Sequence, residues 1–396
     1  MPKKTLCRVA VAAVSGFCLM PASGLHAEPL TVEVVYLRQQ EMRPPVLSNL
    51  DPVPEDLGIA GAEVAMADNA TTGKFLGQTY TLNVIDIAPE GDLPTAARDA
   101  LAGAGLVLVD GTAAEILAVA DMPEAAGKLL FNVASGDEAL RSADCRANLL
   151  HTIPEDGART DALMQVLAAK RWSKLAMITG PKPADLAYAD HLRRSAAKFG
   201  LTLVGEKAWS FDTDLRRAAT VELPPFTQDL PDHDVLLVAD ETDDFGRYVE
   251  NNTWLPRPIA GSEGLEPQGW THVMEQWGAV QLQNRFEQTA GRDMRSRDYA
   301  AWTAVRAIGE AVTRTGSADP ATLRGYMLSD AFQLDGFKGR GLSFRSWNGQ
   351  LRQPIAVANA RALVTLAPVE GFLHQRNETD TLGLDEPESQ CHAFTE

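Results

Sequence analysis

Short apolar strands alternate with helices of roughly 10–15 residues along this chain, and the alternation runs twice. Residues 30–37 are β-branched and read as a buried strand, and residues 57–69 place Ile59, Ala62, Val64 and Met66 at helical spacing. Strands at 80–87, 106–109 and 129–133 then alternate with helices at 93–102 and 113–120. Such a series predicts βαβ units around a parallel sheet. The pattern restarts with a helix at 160–170, a strand at 175–178 and a helix at 184–199 ended by Gly200. Strands at 201–209 and 235–239 follow, and Ile259 and Ala260 begin a last short one. The expected fold class is α/β, with two doubly wound lobes. After Gly264 the pattern predicts helices at 270–290 and 297–315. In the second of these Tyr299, Trp302, Val305, Ile308 and Val312 form a core-facing stripe. From Phe337 onward a hairpin is expected, with strands at 353–359 and 361–366. The expected first lobe takes 29–150 plus 266–332, and the second 151–265 plus 333–396. A chain that crosses between lobes more than once has the layout of a hinged, two-lobed binding protein.

Ahead of this pattern, Lys3, Lys4 and Arg8 precede an apolar run from 9 to 20 broken only by Ser15 and Gly16, and Ala27 closes the segment. That order predicts a secretory signal peptide cleaved near Ala27, since the run is too short for the roughly 20 residues of a membrane span. Cys18 follows Phe17, unlike a lipoprotein attachment cysteine. The expected product is exported and soluble. The formal net charge is −17, and the removed segment holds three cations and no acid, which takes it to −20. A charge of that sign disfavours nucleic acid and anionic lipid as partners. Hydrophobic content of 45% is enough for each lobe to bury a core. Two cysteines remain, Cys145 and Cys391, and in an oxidising compartment one disulfide is the simplest expectation. Two free thiols, or a metal site using Cys391 and His392, are the alternatives, although adjacent ligands do not match zinc spacing.

No G-x-S-x-G elbow, H-E-x-x-H helix or P-loop occurs, and Gly261-Ser262-Glu263-Gly264 matches the first only superficially. Ala102-Gly103-Ala104-Gly105 precedes a strand, whereas a dinucleotide fingerprint follows one. His151, near a lobe crossing, is the histidine best placed for function, although a surface or hydrogen-bonded structural role is the stronger expectation for it. The acidic runs at 232–234 and 240–244 lack EF-hand spacing and read as solvated loops. Neither an enzymatic activity nor a cofactor is expected.

The order of elements resembles the type I periplasmic binding proteins of ABC importers, the leucine/isoleucine/valine-binding class. Within the second half, Trp277-Gly278-Ala279, Arg285-Phe286, Asp298-Tyr299-Ala300-Ala301-Trp302 and Phe337-Lys338-Gly339-Arg340 are similar to one subfamily. Gly371-Phe372-Leu373-His374-Gln375-Arg376-Asn377-Glu378 and the ending Pro387-Glu388-Ser389-Gln390-Cys391 fit it too. That subfamily accompanies pyrroloquinoline-quinone-dependent alcohol dehydrogenase systems. The resemblance implies a Venus-flytrap mechanism: a small organic ligand (alcohol-derived, acid, amine or amino-acid-like) binds between two Rossmann-like lobes joined by a multi-stranded hinge. The closed form then docks on an ABC permease. A sensor or accessory protein of the same fold, docking on a receptor or dehydrogenase, is the first alternative, and a metal-handling protein or hydrolase the second.

The resemblance also implies ligand contacts. Loops after the third and fourth strands present N–H and hydroxyl groups to a ligand carboxylate, and here Thr112 and Ser135 occupy those stretches. In the second lobe the relatives' Gly-Pro-Glu-Gly matches Gly261-Ser262-Glu263-Gly264 apart from the proline. Glu263 is therefore the expected partner of a ligand ammonium, and a hinge or capping role is its alternative. Asp240, at the end of a second-lobe strand, is a further candidate. Tyr188 stands in for the relatives' aromatic contact. The first strand departs from the relatives by running into Arg38-Gln39-Gln40-Glu41-Met42-Arg43-Pro44-Pro45, where Arg38 or Arg43 offers a cation.

Overall fold

The computed structural model describes residues 30–42, 52–211 and 218–394, so the expected signal segment and Arg43 lie outside the described residues. The first lobe begins β1 (Leu30–Gln39), α1 (Ile59–Leu76), β2 (Gln78–Ile87), α2 (Leu93–Gly103), β3 (Leu106–Asp110), α3 (Ala113–Ala120), β4 (Leu129–Asn132) and β5 (Leu149–His151). Its sheet has the order β2-β1-β3-β4-β5, all parallel. Alternation along β1 explains why both faces need cover: Val32, Val34 and Tyr36 enter one core, Val35 and Leu37 the other.

The second lobe continues α4 (Asp156–Ala169), β6 (Lys174–Thr179), α5 (Pro183–Lys198), β7 (Thr202–Ala208), α6 (Ala219–Thr227), β8 (Val235–Ala239), α7 (Gly246–Val249) and β9 (Ile259–Gly261). Its parallel sheet runs β7-β6-β8-β9. The chain then returns through β10 (Glu266–Gln268) to α8 (Ala279–Ala290), α9 (Ser296–Thr315) and α10 (Pro320–Met327). Short strands β11 (Leu334–Asp335), β12 (Gly341–Phe344) and β13 (Leu351–Arg352) precede β14 (Ile355–Asn359) and β15 (Ala362–Ala367).

The aromatic stripe of α9 is core: Trp270 stacks on Tyr299 at 4.7 Å, and Tyr299, Trp302, Val305, Ile308 and Val312 are all buried. Two differences from the expected pattern have local causes. Residues 270–278 are not helical, because Trp277 and Gly278 hold φ of 54° and 81°, which a right-handed helix cannot contain. Leu334, Leu342, Phe344 and Leu351 pack into the first lobe's core, whereas the expected division at 333 assigns them to the second.

Three segments cross between lobes at one place. Gln353 donates to Thr152 O at 2.7 Å, and the buried Lys338 ammonium donates to Gly269 O, to Gln353 Oε1 at 2.7 Å and to Pro354 O at 3.0 Å. It also lies 4.2 Å from the centre of the Tyr299 ring. Three carbonyl-type oxygens and an aromatic face thus replace the water that this cation gives up. The tail adds a fourth crossing. It is held to the second lobe where Gly383 N–H donates to Asp161 (2.8 Å). It reaches the first lobe where Ser389 donates to Arg141 O (3.0 Å) and Cys391 forms a disulfide with Cys145.

Candidate functional site

The C-terminal ends of the strands carry polar residues: Arg38, Asp110, Asn132 and His151 on the first lobe, and Asp240 just past β8 on the second. At the end of β1, Arg38 grips Asp86 through two nitrogens (2.7 and 2.5 Å) and donates to Leu57 O (3.2 Å). It lines a cavity of about 380 Å³ with Glu41, Glu55, Asp86 and Arg297. Beside it, Tyr36 donates to Asp110 Oδ2 at 2.8 Å, and Arg297 pairs with Asp110 Oδ1 at 3.2 Å. Burial pushes the Asp110 carboxyl up despite Arg297. Gly58 holds φ of +82° here, and a Cβ would stand 2.0 Å from the Tyr36 hydroxyl.

Thr112 caps α3. Its N–H and hydroxyl both donate to Glu115 Oε2, at 2.7 and 2.8 Å, which closes a capping box. Ser135 sits in a turn after β4 whose Ala134 and Ser135 N–H groups donate to Asn132 Oδ1 (3.1 and 2.9 Å). The carbonyls of Ser135 and Asp137 accept from the fully buried Arg141 at 2.9 and 2.8 Å. His151 lies beneath the turn, 3.1 Å from Asn132 Nδ2. Burial, with Arg141 nearby, holds its pKa well below the usual value, so the ring is neutral.

On the second lobe, Asp240 is 4% exposed and accepts from the N–H groups of Asp244, Phe245 and Gly246 at 2.7–2.9 Å, so it shapes its own loop. Its neighbour Glu241 reaches outward to Arg159 (2.8 and 3.3 Å) and Ser262 (2.9 Å). Burial pushes the Glu241 carboxyl up, but Arg159 and Ser262 outweigh it and hold it below the usual range. Arg159 also pairs with Asp156 at 3.0 Å and lies 5.0 Å above the Tyr188 ring. Tyr188 is 2% exposed, and its hydroxyl has no hydrogen-bond partner among the described residues. Glu263 is half-buried, and burial followed by the charges of Glu250 and Asp243 raises its pKa. Burial pushes Glu266 up to about 7, against a hydrogen bond from Gln268 and reinforced by Glu263.

The lobes meet where Asp156 N–H donates to Gly136 O at 2.9 Å and Arg194 pairs with Glu138 at 2.8 Å. The six residues expected from the sequence divide between the lobes, Arg38, Thr112 and Ser135 on the first and Tyr188, Asp240 and Glu263 on the second. Arg159, Glu241, Ser262 and Glu266 were absent from that expectation. Ser262 lay inside the quoted Gly261–Gly264 phrase, but Arg159 and Glu241 are 82 positions apart and carry no local signal.

A profile of the periplasmic binding protein family matches residues 56–218. No curated protein matches the chain in sequence. Among solved structures, a branched-chain amino acid ABC transporter periplasmic ligand-binding protein from Burkholderia xenovorans superposes with a TM-score of 0.68 at 14% identity, covering 92% of this chain and 100% of that one. The leucine-, isoleucine-, valine-, threonine- and alanine-binding protein of Brucella ovis, in its closed conformation, gives 0.66 at 14%, covering 92% and 99%. A solute-binding protein from R. palustris in complex with benzoate gives 0.62 at 13%, covering 92% and 99%. The fold is that of the type I periplasmic binding proteins, with two lobes.

Proposed function

We propose that this chain is the periplasmic solute-binding component of an ABC importer, non-catalytic, holding a small organic solute between its lobes. The single observation that carries the reading is the pair of parallel sheets, one in each lobe, joined through a segmented hinge. A solute that touches both lobes does so only when they are close, so its binding free energy favours the closed form. That closed form is what an ABC permease recognises in this reading. The likeness to solute-binding folds and the matched profile support it. The subfamily phrases of the second half support a place beside quinone-dependent alcohol catabolism, and the leader ending near Ala27 supports export. The expected site residues are Glu263 with Thr112, Ser135, Tyr188, Asp240 and Arg38.

A thermal-shift screen of the exported protein tests the reading. The panel holds alcohols, their aldehydes and acids, amines, amino acids, quinone cofactor and metal cations. A ligand at 100 times its Kd adds about 2.7 kcal/mol, which moves a domain of 150–250 residues by roughly 2–4 °C per kcal/mol. A specific organic solute that raises Tm by several degrees is the expected result. Stabilisation by cations alone, or by nothing in the panel, counts against solute binding.

A further inference from the structure

The last stretch of the described chain is fastened to both lobes in turn. It starts on the first lobe's side, where Asp380 accepts from Arg345 at 3.0 Å and from Arg352 at 2.8 Å. These two arginines belong to the β12–β13 hairpin, whose Phe344 and Leu351 lie in the first lobe's core. The chain then presses onto the second lobe. Leu382 is buried in that lobe's core, and Gly383 N–H donates to Asp161 at 2.8 Å. From α5, the Lys198 ammonium donates to Thr381 O and Gly383 O at 3.2 and 3.0 Å. By Ser389 the chain has returned to the first lobe. There Ser389 donates to Arg141 O (3.0 Å), Gln390 N–H donates to Ser142 Oγ (2.9 Å), and Cys391 is bonded to Cys145.

Gly383 makes the close fit possible. Its φ is +77°, and a Cβ would stand 1.3 Å from Glu155 Oε1, the oxygen that also accepts Leu384 N–H at 2.8 Å. Arg345 holds the same turn from the other side, through Leu382 O at 2.7 Å and Leu384 O at 2.9 Å. Asp161, Asp380 and Arg345 are only 2–3% exposed, so their bonds are charge-assisted and little screened by salt. Glu138 of the first lobe adds a direct bridge, accepting from Arg194 on α5 at 3.0 and 2.8 Å. When the lobes swing apart, Asp161 and Lys198 move away from Arg141 and Cys145. A chain bonded to both sets must come off one of them. Because the first-lobe end is covalent, the bonds that break are those to Asp161, Lys198 and Glu155.

We infer that residues 380–391 are a strap that holds the two lobes together before any solute arrives, with Gly383 seated on the second lobe and Cys391 anchoring the end to the first. A solute that binds only the closed form gains apparent affinity when that form is already populated. The strap goes beyond the solute-binding reading, since it acts whatever occupies the cleft.

Small-angle X-ray scattering from the unliganded exported protein tests it with two variants that free opposite ends of the strap. Cys145→Ser with Cys391→Ser unties it from the first lobe, and Gly383→Ala lifts it off the second with the disulfide intact. The parent is expected to fit the lobe arrangement described above. Each variant is expected to show a larger radius of gyration while its far-UV circular dichroism stays that of the parent. A folded variant that keeps the parent's radius overturns the inference. If the double-serine variant does not fold, Gly383→Ala decides by the same comparison. The parent alone supplies an independent reading: the Gly383 and Leu384 amides are expected to exchange hydrogen slowly without solute, and free exchange at both overturns the strap. None of these measurements uses a ligand, so their failure leaves the solute-binding reading standing, and a silent thermal-shift screen leaves the strap standing.

Discussion

Residues at the cleft divide by whether their polar atoms are spent. Asp240 and Thr112 look alike in the sequence, each closing an apolar strand or opening a helix, yet both are committed to backbone or neighbouring groups. Their positions after strands were legible, because a polar residue that ends an apolar run marks the strand's C-terminal edge. Their partners were not, since Glu115 reaching back to Thr112 depends on side-chain geometry. Glu266 is the residue whose titration reports its surroundings most directly. Its carboxyl sits near 7 when folded, raised by burial and by Glu263, with Gln268 and Arg159 opposing. Raised above its unfolded value, it binds more protons folded than unfolded, so stability falls as pH rises through the window from the ordinary glutamate value of 4.5 to about 7. Glu266→Gln is therefore expected to flatten the Tm profile across that window and to raise Tm at pH 8 relative to the parent. Parallel profiles for parent and variant would show that Glu266 titrates normally.

Elements pack through contacts that leave no room for a methyl group. Gly61 on α1 lies so close to α9 that a Cβ would stand 1.9 Å from Asp298 O, and that atom is backbone. Gly61→Ala is expected to cost about 1–3 kcal/mol by overpacking, read from the urea midpoint of the parent and the variant. An unchanged midpoint would mean the helices separate freely. The strands were legible because runs such as Val-Leu-Leu-Val-Ala at β8 are buried on both faces and need no periodicity to be seen. Short or interrupted elements were not. β5 has three residues, and α6 contains Pro224 and Pro225, which argue against a helix on propensity alone. α10 did carry a signal, Asp319 capping Thr322 N–H with Pro320 at the first position, that outlies the hydrophobic pattern. The helix expected from Trp270 failed for the opposite reason, since its apolar spacing concealed a left-handed pair at Trp277 and Gly278.

At the scale of the whole molecule, the tail crosses back to the first lobe, and Cys145 and Cys391 join there with Cα atoms 5.6 Å apart. Both cysteines are buried beside the Arg141–Ser142 segment that accepts the tail's Ser389 and Gln390. The unreduced, denatured protein is expected to show no free thiol at these two positions. Replacing both by serine is expected to cost about 3 kcal/mol, chiefly by freeing the unfolded chain. A variant that unfolds at the parent's midpoint would remove the disulfide from the forces that hold the lobes together. The pairing was legible from the cysteine count, whereas the path that brings residue 391 beside residue 145 emerges only from the fold.

That same bond makes a ring of the polypeptide. The disulfide spans 246 positions, and all three hinge segments and the entire second lobe lie on the closed circuit. A protease that cuts once anywhere on that circuit opens the ring without releasing a piece. The nicked protein runs as one band without reductant and as two with it, so a single cut leaves the two walls of the cleft tethered to each other.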